Sequence, residues 1–292
     1  MINIKLTDLF ASKPLTLSFE VFPPKSTDDF EIVNKATLEI AELLPDYISV
    51  TYGAGGSNSK NTVSIIKNII QSFNVTAVSH LTCVASTKQQ ISERLADFKA
   101  NGIENILALR GDVPPGVDIS GTDIPFKYAC ELIEYIKNNG DFCVGGACYP
   151  EGHIESKDRF IDTVQLKNKV SCGCDYLVTQ MFFDNDIFYD FYERTKIVGI
   201  DVPVVVGIMP VTNGRQIDRI CRLSGTVLPK RFVRIVEKFG NNPAAMKQAG
   251  VAYAVEQIID LVANGVGHIH IYSMNKPDIA AEIKNNLSEI FR

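Results

Sequence analysis

Polar and ionisable side chains stand at or near the ends of several apolar, β-branched runs of this sequence. Glu20 lies near the end of LTLSFEV, His80 near the end of VTAVSHLT, and Asp112 just after NILALR. Other such ends carry Thr51, Arg110, Gly111, Tyr149, His153, Thr179, Gln180 and Tyr272. Ionisable groups in apolar runs are costly to bury without partners, so their number indicates a shared polar site. Carboxylates and a histidine in such a site are suited to proton transfer.

Each of these residues also has a purely structural explanation. Glu20 can close a salt bridge inside the fold, and His80 can be a hydrogen-bonded core histidine. Asp112 precedes a Pro-rich loop, where Asp often bonds its own backbone, and His153 can lie on a surface loop. The glycines of TYGAGGS, Gly53, Gly55 and Gly56, permit a tight backbone that can cradle a phosphate, but a glycine cluster alone is a weak signal.

The elements that carry these residues alternate regularly along the chain. Eight runs are predicted as strands: Leu15–Val21, Tyr47–Tyr52, Val75–Thr82, Asn105–Arg110, Cys143–Tyr149, Tyr176–Phe182, Val202–Ile208 and Gly267–Tyr272. Several are continuously apolar, which favours parallel strands that are buried on both faces. The stretches between them predict amphipathic helices, for example Asp28–Leu44, Lys88–Ala100 and Lys157–Val170.

Eight strands in alternation with helices predict an α/β fold, the (β/α)8 TIM barrel, as one domain over residues 1–292. The length leaves room for a helical insertion before the last strand, predicted at Leu228–Asn264, with Pro229 and Pro243 at helix starts. An open doubly wound sheet is the competing fold, although FPPKS, not a Gly-rich phosphate turn, follows the first strand. In a barrel, the polar strand ends meet at the carboxyl-terminal mouth.

Composition narrows the class of protein. The net charge of −5 and a pI of about 5.5 argue against nucleic acid or an anionic membrane as the main partner. Seven scattered cysteines favour reduced thiols, and we expect a cytoplasmic protein without a signal peptide. No stretch approaches the roughly 20 apolar residues that span a bilayer.

In chain order, a series of motifs resembles the methylenetetrahydrofolate reductase family. They are SFEVFPPK (18–25), SVTYGAGGS (49–57), SHLTC (79–83), LALRGD (107–112), CYPEGH (148–153), D-x-x-x-L-x-x-K from Asp162 to Lys169, TQMFFD (179–184), GIMP (207–210) and the stretch Tyr272 to Asn275. The resemblance covers almost the whole chain. It implies non-covalent FAD at the barrel mouth, contacted by Thr51, His80, Arg110, Gly111, Asp112, Tyr149, His153, Asp162 and Lys169.

The resemblance also implies a reaction, the reduction of 5,10-methylenetetrahydrofolate to 5-methyltetrahydrofolate by hydride transfer from N5 of the reduced flavin. Glu20 matches the catalytic acid that protonates N10 of the folate, which requires a raised pKa. A carboxylate at Asp112, the second catalytic residue, disfavours anionic reduced flavin and stabilises a cationic folate. Glu20, Gln180 and Tyr272 are expected to bind the folate. Reductant and folate are expected to use the flavin in turn, in a ping-pong cycle.

The motifs do not specify the electron donor or the protein partners. VTNGRQIDRI, which follows GIMP, does not show how a nicotinamide would be held, so the reductant is NAD(P)H or another donor. Some relatives in anaerobes work with an accessory iron–sulfur subunit. We expect a homo-oligomer and no S-adenosylmethionine regulation. Gln165 stands where bacterial relatives are expected to have Asn, a change that should be tolerated.

Two other enzyme classes and one non-enzymatic class remain as alternatives. Cys143, Cys148, Cys172 and Cys174 raise the possibility of a zinc-dependent methyltransferase barrel, but C-G-C at 172–174 is tighter than the usual zinc pair spacing, and we expect no metal. Another flavin barrel, such as proline dehydrogenase, is the second class. A barrel that serves only as an assembly subunit would not need ionisable groups at so many strand ends.

Overall fold

Eight parallel strands form a closed barrel in which each strand pairs with the next and β8 pairs with β1. The computed structural model describes residues 3–24, 30–51, 59–84, 86–113 and 125–292. The strands are β1 (Thr16–Val21), β2 (Tyr47–Val50), β3 (Thr76–Thr82), β4 (Asn105–Leu109), β5 (Cys143–Cys148), β6 (Tyr176–Thr179), β7 (Val204–Ile208) and β8 (His268–Tyr272). The predicted (β/α)8 barrel is confirmed.

Several of the helices begin at side-chain capping groups. They are α1 (Leu6–Ser12), α2 (Phe30–Ala41), α3 (Ser59–Phe73), α4 (Lys88–Ala100), α5 (Ala129–Asn139), α6 (Arg159–Ser171), α7 (Asn185–Ile197), α8 (Ile217–Ser224), α9 (Lys230–Phe239), α10 (Pro243–Ala263) and α11 (Pro277–Asn286). Thr87 and Gln90 form a capping box at α4, and Asp158 accepts a hydrogen bond from the Ile161 N–H at α6. The helix starts predicted at Pro229 and Pro243 are confirmed.

Successive side chains of each strand point to opposite faces of the barrel wall, and the two faces form an outer and an inner hydrophobic core. Outward-facing residues such as Phe19, Ile48 and Val206 are fully buried against the ring of helices. Inward-facing residues, among them Tyr47, Val78 and Tyr176, fill the lower part of the barrel. Their large side chains make this end a packed interior and not a pore.

Helix α1 closes the amino-terminal end of the barrel. Its buried residues Leu6, Leu9 and Phe10 belong to the inner core, and the Phe10 ring meets Tyr176 edge-on at a centroid distance of 5.8 Å. The Phe10 ring also lies 4.2 Å from His268, the first residue of β8. Access to the barrel interior is therefore from the opposite, carboxyl-terminal mouth.

Extra helices precede the last strand, but their bounds differ from the predicted Leu228–Asn264. Helix α10 lies in the outer ring, between α7 and α11, and its Val251 and Ile258 are buried in the outer core. The insertion is instead formed by a 3₁₀ turn (Gly214–Gln216), α8 and α9. Its own core includes Phe232 stacked on Phe183. Assigning α10 to the insertion was wrong because an apolar stripe does not reveal which surface a helix will cover.

Several predicted features lie outside the described residues. They are Tyr52 with the glycine cluster Gly53, Gly55 and Gly56, the motif residue Lys25, and the predicted start of the second helix at Asp28. Within the described residues, no helix is long and apolar enough to cross a membrane.

Candidate active site

A cavity of about 960 Å³ opens at the carboxyl-terminal mouth, between the ends of β2 to β5 and helix α6. Its lining includes all nine residues predicted to contact a flavin: Thr51, His80, Arg110, Gly111, Asp112, Tyr149, His153, Asp162 and Lys169. They come from five different strand ends or helices, so only closure of the barrel brings them together. The volume is near the upper end for small-molecule sites, about 300–1,000 Å³.

Helix α6 forms one wall of the cavity with a polar stripe. Asp162, Gln165 and Lys169 follow each other at helical spacing and all line the cavity. The Lys169 ammonium group donates a hydrogen bond of 2.6 Å to the Ala147 carbonyl at the end of β5. Burial raises the pKa of Asp162, although a hydrogen bond from the His153 backbone and the charge of Lys169 oppose the shift. The wall thus presents a cation beside a partly buried carboxyl group.

Residues at the exit of β4 form another part of the lining. The Arg110 guanidinium donates two hydrogen bonds, of 2.7 and 2.8 Å, to the Glu155 carboxylate, and this pairing raises the pKa of Arg110. Gly111 has φ +85°, and a Cβ there would lie 3.0–3.1 Å from Val84 and Thr82, so glycine allows this tight exit. Asp112 is exposed at the cavity rim.

Glu20 and His80 meet inside the barrel beside this cavity. His80 Nε2 lies 3.7 Å from Glu20 Oε2, and the histidine side chain is only 5% exposed against 21% for the acid. Burial raises the pKa of Glu20 to about 8 and lowers that of His80 to about 3. At neutral pH the contact therefore joins two uncharged groups and is not an ion pair. His80 Nε2 has no hydrogen-bond partner among the described residues.

A buried polar cluster that sequence reasoning missed lies below this pair. His270 Nδ1 is 2.7 Å from Ser18 Oγ, and its Nε2 is 3.1 Å from Ser49 Oγ. Tyr47 stacks on the imidazole at 5.8 Å, and burial lowers the pKa of His270 to about 3. The alternation of β1, β2 and β8 was the available signal, because it points Ser18, Ser49 and His270 inward.

Tyr272 lies beside Glu20 in the β1–β8 register. Its hydroxyl donates a hydrogen bond of 2.5 Å to the Thr179 carbonyl on β6. Gly207 on β7 permits this crossing, since a Cβ there would lie 2.5 Å from both the hydroxyl and the Thr179 oxygen. The phenol is thus tied to the barrel wall, and its predicted contact with the folate stays a prediction.

Tyr272→Phe should lower the free energy of unfolding by about 1 kcal/mol or somewhat more, because it leaves the Thr179 carbonyl without its hydroxyl partner. Urea unfolding measures the change. Tyr192→Phe is the control, since Tyr192 is 38% exposed and its hydroxyl makes no hydrogen bond within the described chain. Equal stability of the two variants would contradict a stabilising role for the Tyr272 hydroxyl.

The three residues that are predicted to bind the folate lie at or near the ends of strands outside the β2 to β5 group that surrounds the cavity. Glu20, Gln180 and Tyr272 are not among the described residues that line the cavity. Gln180 follows β6, where its backbone N–H donates to Cys148 and its side-chain oxygen accepts from the Met181 N–H at 2.9 Å. The predicted cofactor residues thus line the cavity, and the predicted folate residues lie outside its lining. His80 belongs to the lining and also contacts Glu20.

Sequence reasoning also missed cavity residues outside the family motifs. Glu155 pairs with Arg110, and Tyr128, Cys130, Ser156, Lys157 and Asn168 also line the cavity. Helical spacing from Asp162 and Lys169 could have indicated Gln165, but no local pattern identifies Tyr128 or Cys130. They arrive through the packing of α5 beside α6.

The four cysteines that suggested a zinc site do not form a metal-binding group in the described structure. Among the described residues, no group of three or more His, Cys, Asp or Glu side chains could hold a metal ion. Cys143, Cys148 and Cys174 are buried free thiols. Burial raises the pKa of Cys143 to about 11 and that of Cys174 to about 12, which disfavours the thiolate that zinc requires.

Comparison with known sequences identifies relatives over nearly the whole chain. Residues 5–288 match the sequence model of the family described as "Methylenetetrahydrofolate reductase". The 5,10-methylenetetrahydrofolate reductases of Pectobacterium carotovorum subsp. carotovorum and Escherichia coli (strain K12) are both 33% identical over 273 residues, 94% of this chain and 90% of each relative. "Methylenetetrahydrofolate reductase (NADH) 1" of Arabidopsis thaliana is 34% identical, over 94% of this chain and 48% of that protein.

A solved structure shares the fold. It is described as "Uncharacterized protein from Clostridium thermocellum binds two copies of 5-methyl-5,6,7,8-tetrahydrofolic acid" and superposes with a TM-score of 0.63 over 99% of both chains. The sequences are only 14% identical, so the likeness extends to the barrel architecture alone.

Proposed function

The chain belongs to the methylenetetrahydrofolate reductase family, enzymes that reduce methylenetetrahydrofolate, and we propose that it does so with FAD in the mouth cavity and Glu20 as general acid. The observation that carries the proposal is the pairing of this cavity with a partly buried carboxyl group whose pKa is raised to about 8. The cavity suits a cofactor, and the acid can hold a proton at neutral pH for transfer to a substrate.

The residues of the cavity fit a flavin dinucleotide. Lys169 and the nearby Lys157 are cations suited to a pyrophosphate, and the aromatic rings of Tyr149 and His153 meet edge-on at 4.7 Å on the lining. His80 Nε2 is buried and has no hydrogen-bond partner among the described residues, so a bound cofactor would supply one. When bound, FAD supplies hydride chemistry that no amino-acid side chain provides. The nine lining residues are proposed as its contacts.

Glu20 is proposed to protonate N10 of the folate. Its raised pKa keeps the carboxyl group protonated at neutral pH, and the neutral His80 at 3.7 Å does not compete by taking up the proton. Protonation of N10 opens the five-membered ring of methylenetetrahydrofolate to an iminium cation, which accepts hydride more readily. Asp112, at the cavity rim, is proposed to stabilise that positive charge, while Gln180 and Tyr272 are proposed to orient the folate.

One mouth serves both substrates in this proposal. Helix α1 blocks the other end of the barrel, so reductant and folate would enter from the same side and react in turn. This supports a ping-pong order. The reductant is proposed to be NAD(P)H, or a donor protein, and each possibility makes a distinct experimental prediction.

The test is anaerobic reduction of the purified protein by NADH, NADPH, reduced ferredoxin and methyltetrahydrofolate in parallel, followed by flavin absorbance. We expect a yellow protein with one FAD per chain that methyltetrahydrofolate bleaches, together with at least one of the other donors. A colourless protein with stoichiometric zinc, or a flavin that proline bleaches and methyltetrahydrofolate does not, would overturn the proposal.

A further inference from the structure

Two side chains from the loop after β8 hydrogen-bond the backbone of Glu20 and of Phe22, at the end of β1. The Ser273 hydroxyl donates a hydrogen bond of 2.5 Å to the Glu20 carbonyl. The Asn275 amide donates to the Phe22 carbonyl at 2.9 Å and accepts from the Phe22 N–H at 3.0 Å. We call these three bonds the β8–β1 clasp. They join residues that are 253 positions apart in the chain.

The clasp lies where main-chain pairing stops. The β1–β8 register ends at Glu20 and Tyr272, and the two prolines after Phe22 carry no N–H for further pairing. On the other side of β1, the Thr51 N–H still donates to the Val21 carbonyl at 2.9 Å. The side chains of Ser273 and Asn275 therefore replace the ladder on the β8 side alone.

The loop that carries the clasp has an unfavourable backbone. Met274 and Asn275 are consecutive non-glycine residues in the left-handed region, with φ of 53° and 51°. Asn tolerates this conformation, but Met does so rarely, and its side chain is 44% exposed, without burial in the core to compensate. Such strain persists where surrounding contacts hold it, and it is concentrated at functional sites.

We propose that Ser273 and Asn275 are positioning residues that hold the Glu20 carboxyl group beside His80 at the mouth. The clasp fixes the peptide groups that follow Glu20, and the pairing of β1 with β2 and β8 holds the strand before it. The Glu20 side chain therefore leaves the strand in one direction, toward His80 Nε2. This role rests on the proposed function of Glu20 as the general acid. Without the clasp, the end of β1 can move away from β8 and admit water to the carboxyl group.

The test is Asn275→Ala in the FAD-loaded protein, with the two half-reactions measured separately by stopped flow. We expect folate-dependent oxidation of the reduced flavin to slow by about 10- to 100-fold, because small displacements of a catalytic group have effects of this size. Reduction by the donor should change less than about twofold, since the clasp does not line the cavity. The high-pH limb of the folate half-reaction should move to lower pH, because a better-hydrated carboxyl group has a lower pKa.

Asn74→Ala is the control for replacing an Asn in the left-handed backbone region. Asn74 has φ 54°, lies exposed between α3 and β3 at the opposite end of the barrel, and its only hydrogen bond in the described chain is from its backbone N–H to Ile70. It should lose only the stability that comes from an Asn in this backbone conformation, and it should keep both half-reactions. Ser273→Ala provides a second variant, and Ser273→Thr, which keeps the hydroxyl, should restore the folate rate and the pH limb.

The outcomes separate the two proposals. If the wild-type protein shows no folate-dependent flavin reaction, the proposed function is wrong and the clasp role falls with it. If the wild type reacts and Asn275→Ala behaves like Asn74→Ala, only the positioning role is overturned. Equal slowing of both half-reactions with an unmoved pH limb would assign the clasp a purely structural role.

Discussion

Glu20→Gln should slow the folate half-reaction by about 10²- to 10⁴-fold, the usual contribution of a general acid, and leave reduction of the flavin by its donor nearly unchanged. Gln keeps the size of the side chain, and it cannot deliver the proton that N10 needs. Stopped-flow absorbance of each half-reaction, with FAD content measured in parallel, checks the prediction. Equal loss in both half-reactions would show that Glu20 shapes the cavity and does not act as the acid.

The pH dependence of the folate half-reaction is a second test of the role of Glu20. Only protonated Glu20 can donate, so the wild-type folate half-reaction should be fast below pH 8 and fall as pH rises through about 8. The folded pKa is raised above the ordinary value of 4.5, so stability linked to this group is present below about 4.5 and lost as pH rises toward 8. Glu20→Gln should therefore become more stable relative to wild type over that interval, measured by urea unfolding.

Glu151→Gln is the matched control for this substitution. Glu151 also lies at the mouth, and burial raises its pKa, but it is not among the described cavity residues and accepts hydrogen bonds from the Val227 N–H. A glutamine there keeps an acceptor for that N–H. Both half-reactions should proceed at wild-type rates in this variant, and the fall near pH 8 should remain.

Lys169→Met should weaken FAD binding by about 10- to 100-fold. Charge-assisted hydrogen bonds contribute about 1.5–3 kcal/mol, and about 1.4 kcal/mol corresponds to a factor of ten in affinity. Met keeps most of the aliphatic stem and removes the cation that the cavity offers to a pyrophosphate. Flavin retained after dialysis, and titration of the apoprotein with FAD, measure the effect.

Lys167→Met on the same helix is the control. The Lys167 ammonium donates to the Gly199 carbonyl near the end of α7 and does not line the cavity. Its loss should lower stability without changing the FAD content. If Lys169→Met retained FAD as firmly as Lys167→Met, the placement of the cofactor's charged portion against α6 would be wrong.

Family membership and barrel class could be predicted from the sequence, because both depend on short-range patterns. Alternation and β-branched composition marked all eight strands within a few residues, and Pro229 and Pro243 marked two helix starts. The motifs between residues 18 and 275 supplied nine residues that are predicted to contact the cofactor, and all nine line one cavity. Parallel strands place their carboxyl ends at one mouth, so the topology alone brings those residues into one region.

Contacts that cross the closure of the barrel could not be predicted in this way. The 3.7 Å approach of Glu20 to His80, the crossing of Tyr272 to Thr179 past Gly207, and the β8–β1 clasp all depend on register and tilt. The sequence alone determined which residues stand at strand ends, since local propensity and two-residue periodicity act over a few positions. Only the tertiary structure decided which of those side chains touch and which are buried enough to change their pKa, because both follow from packing between residues distant in the chain.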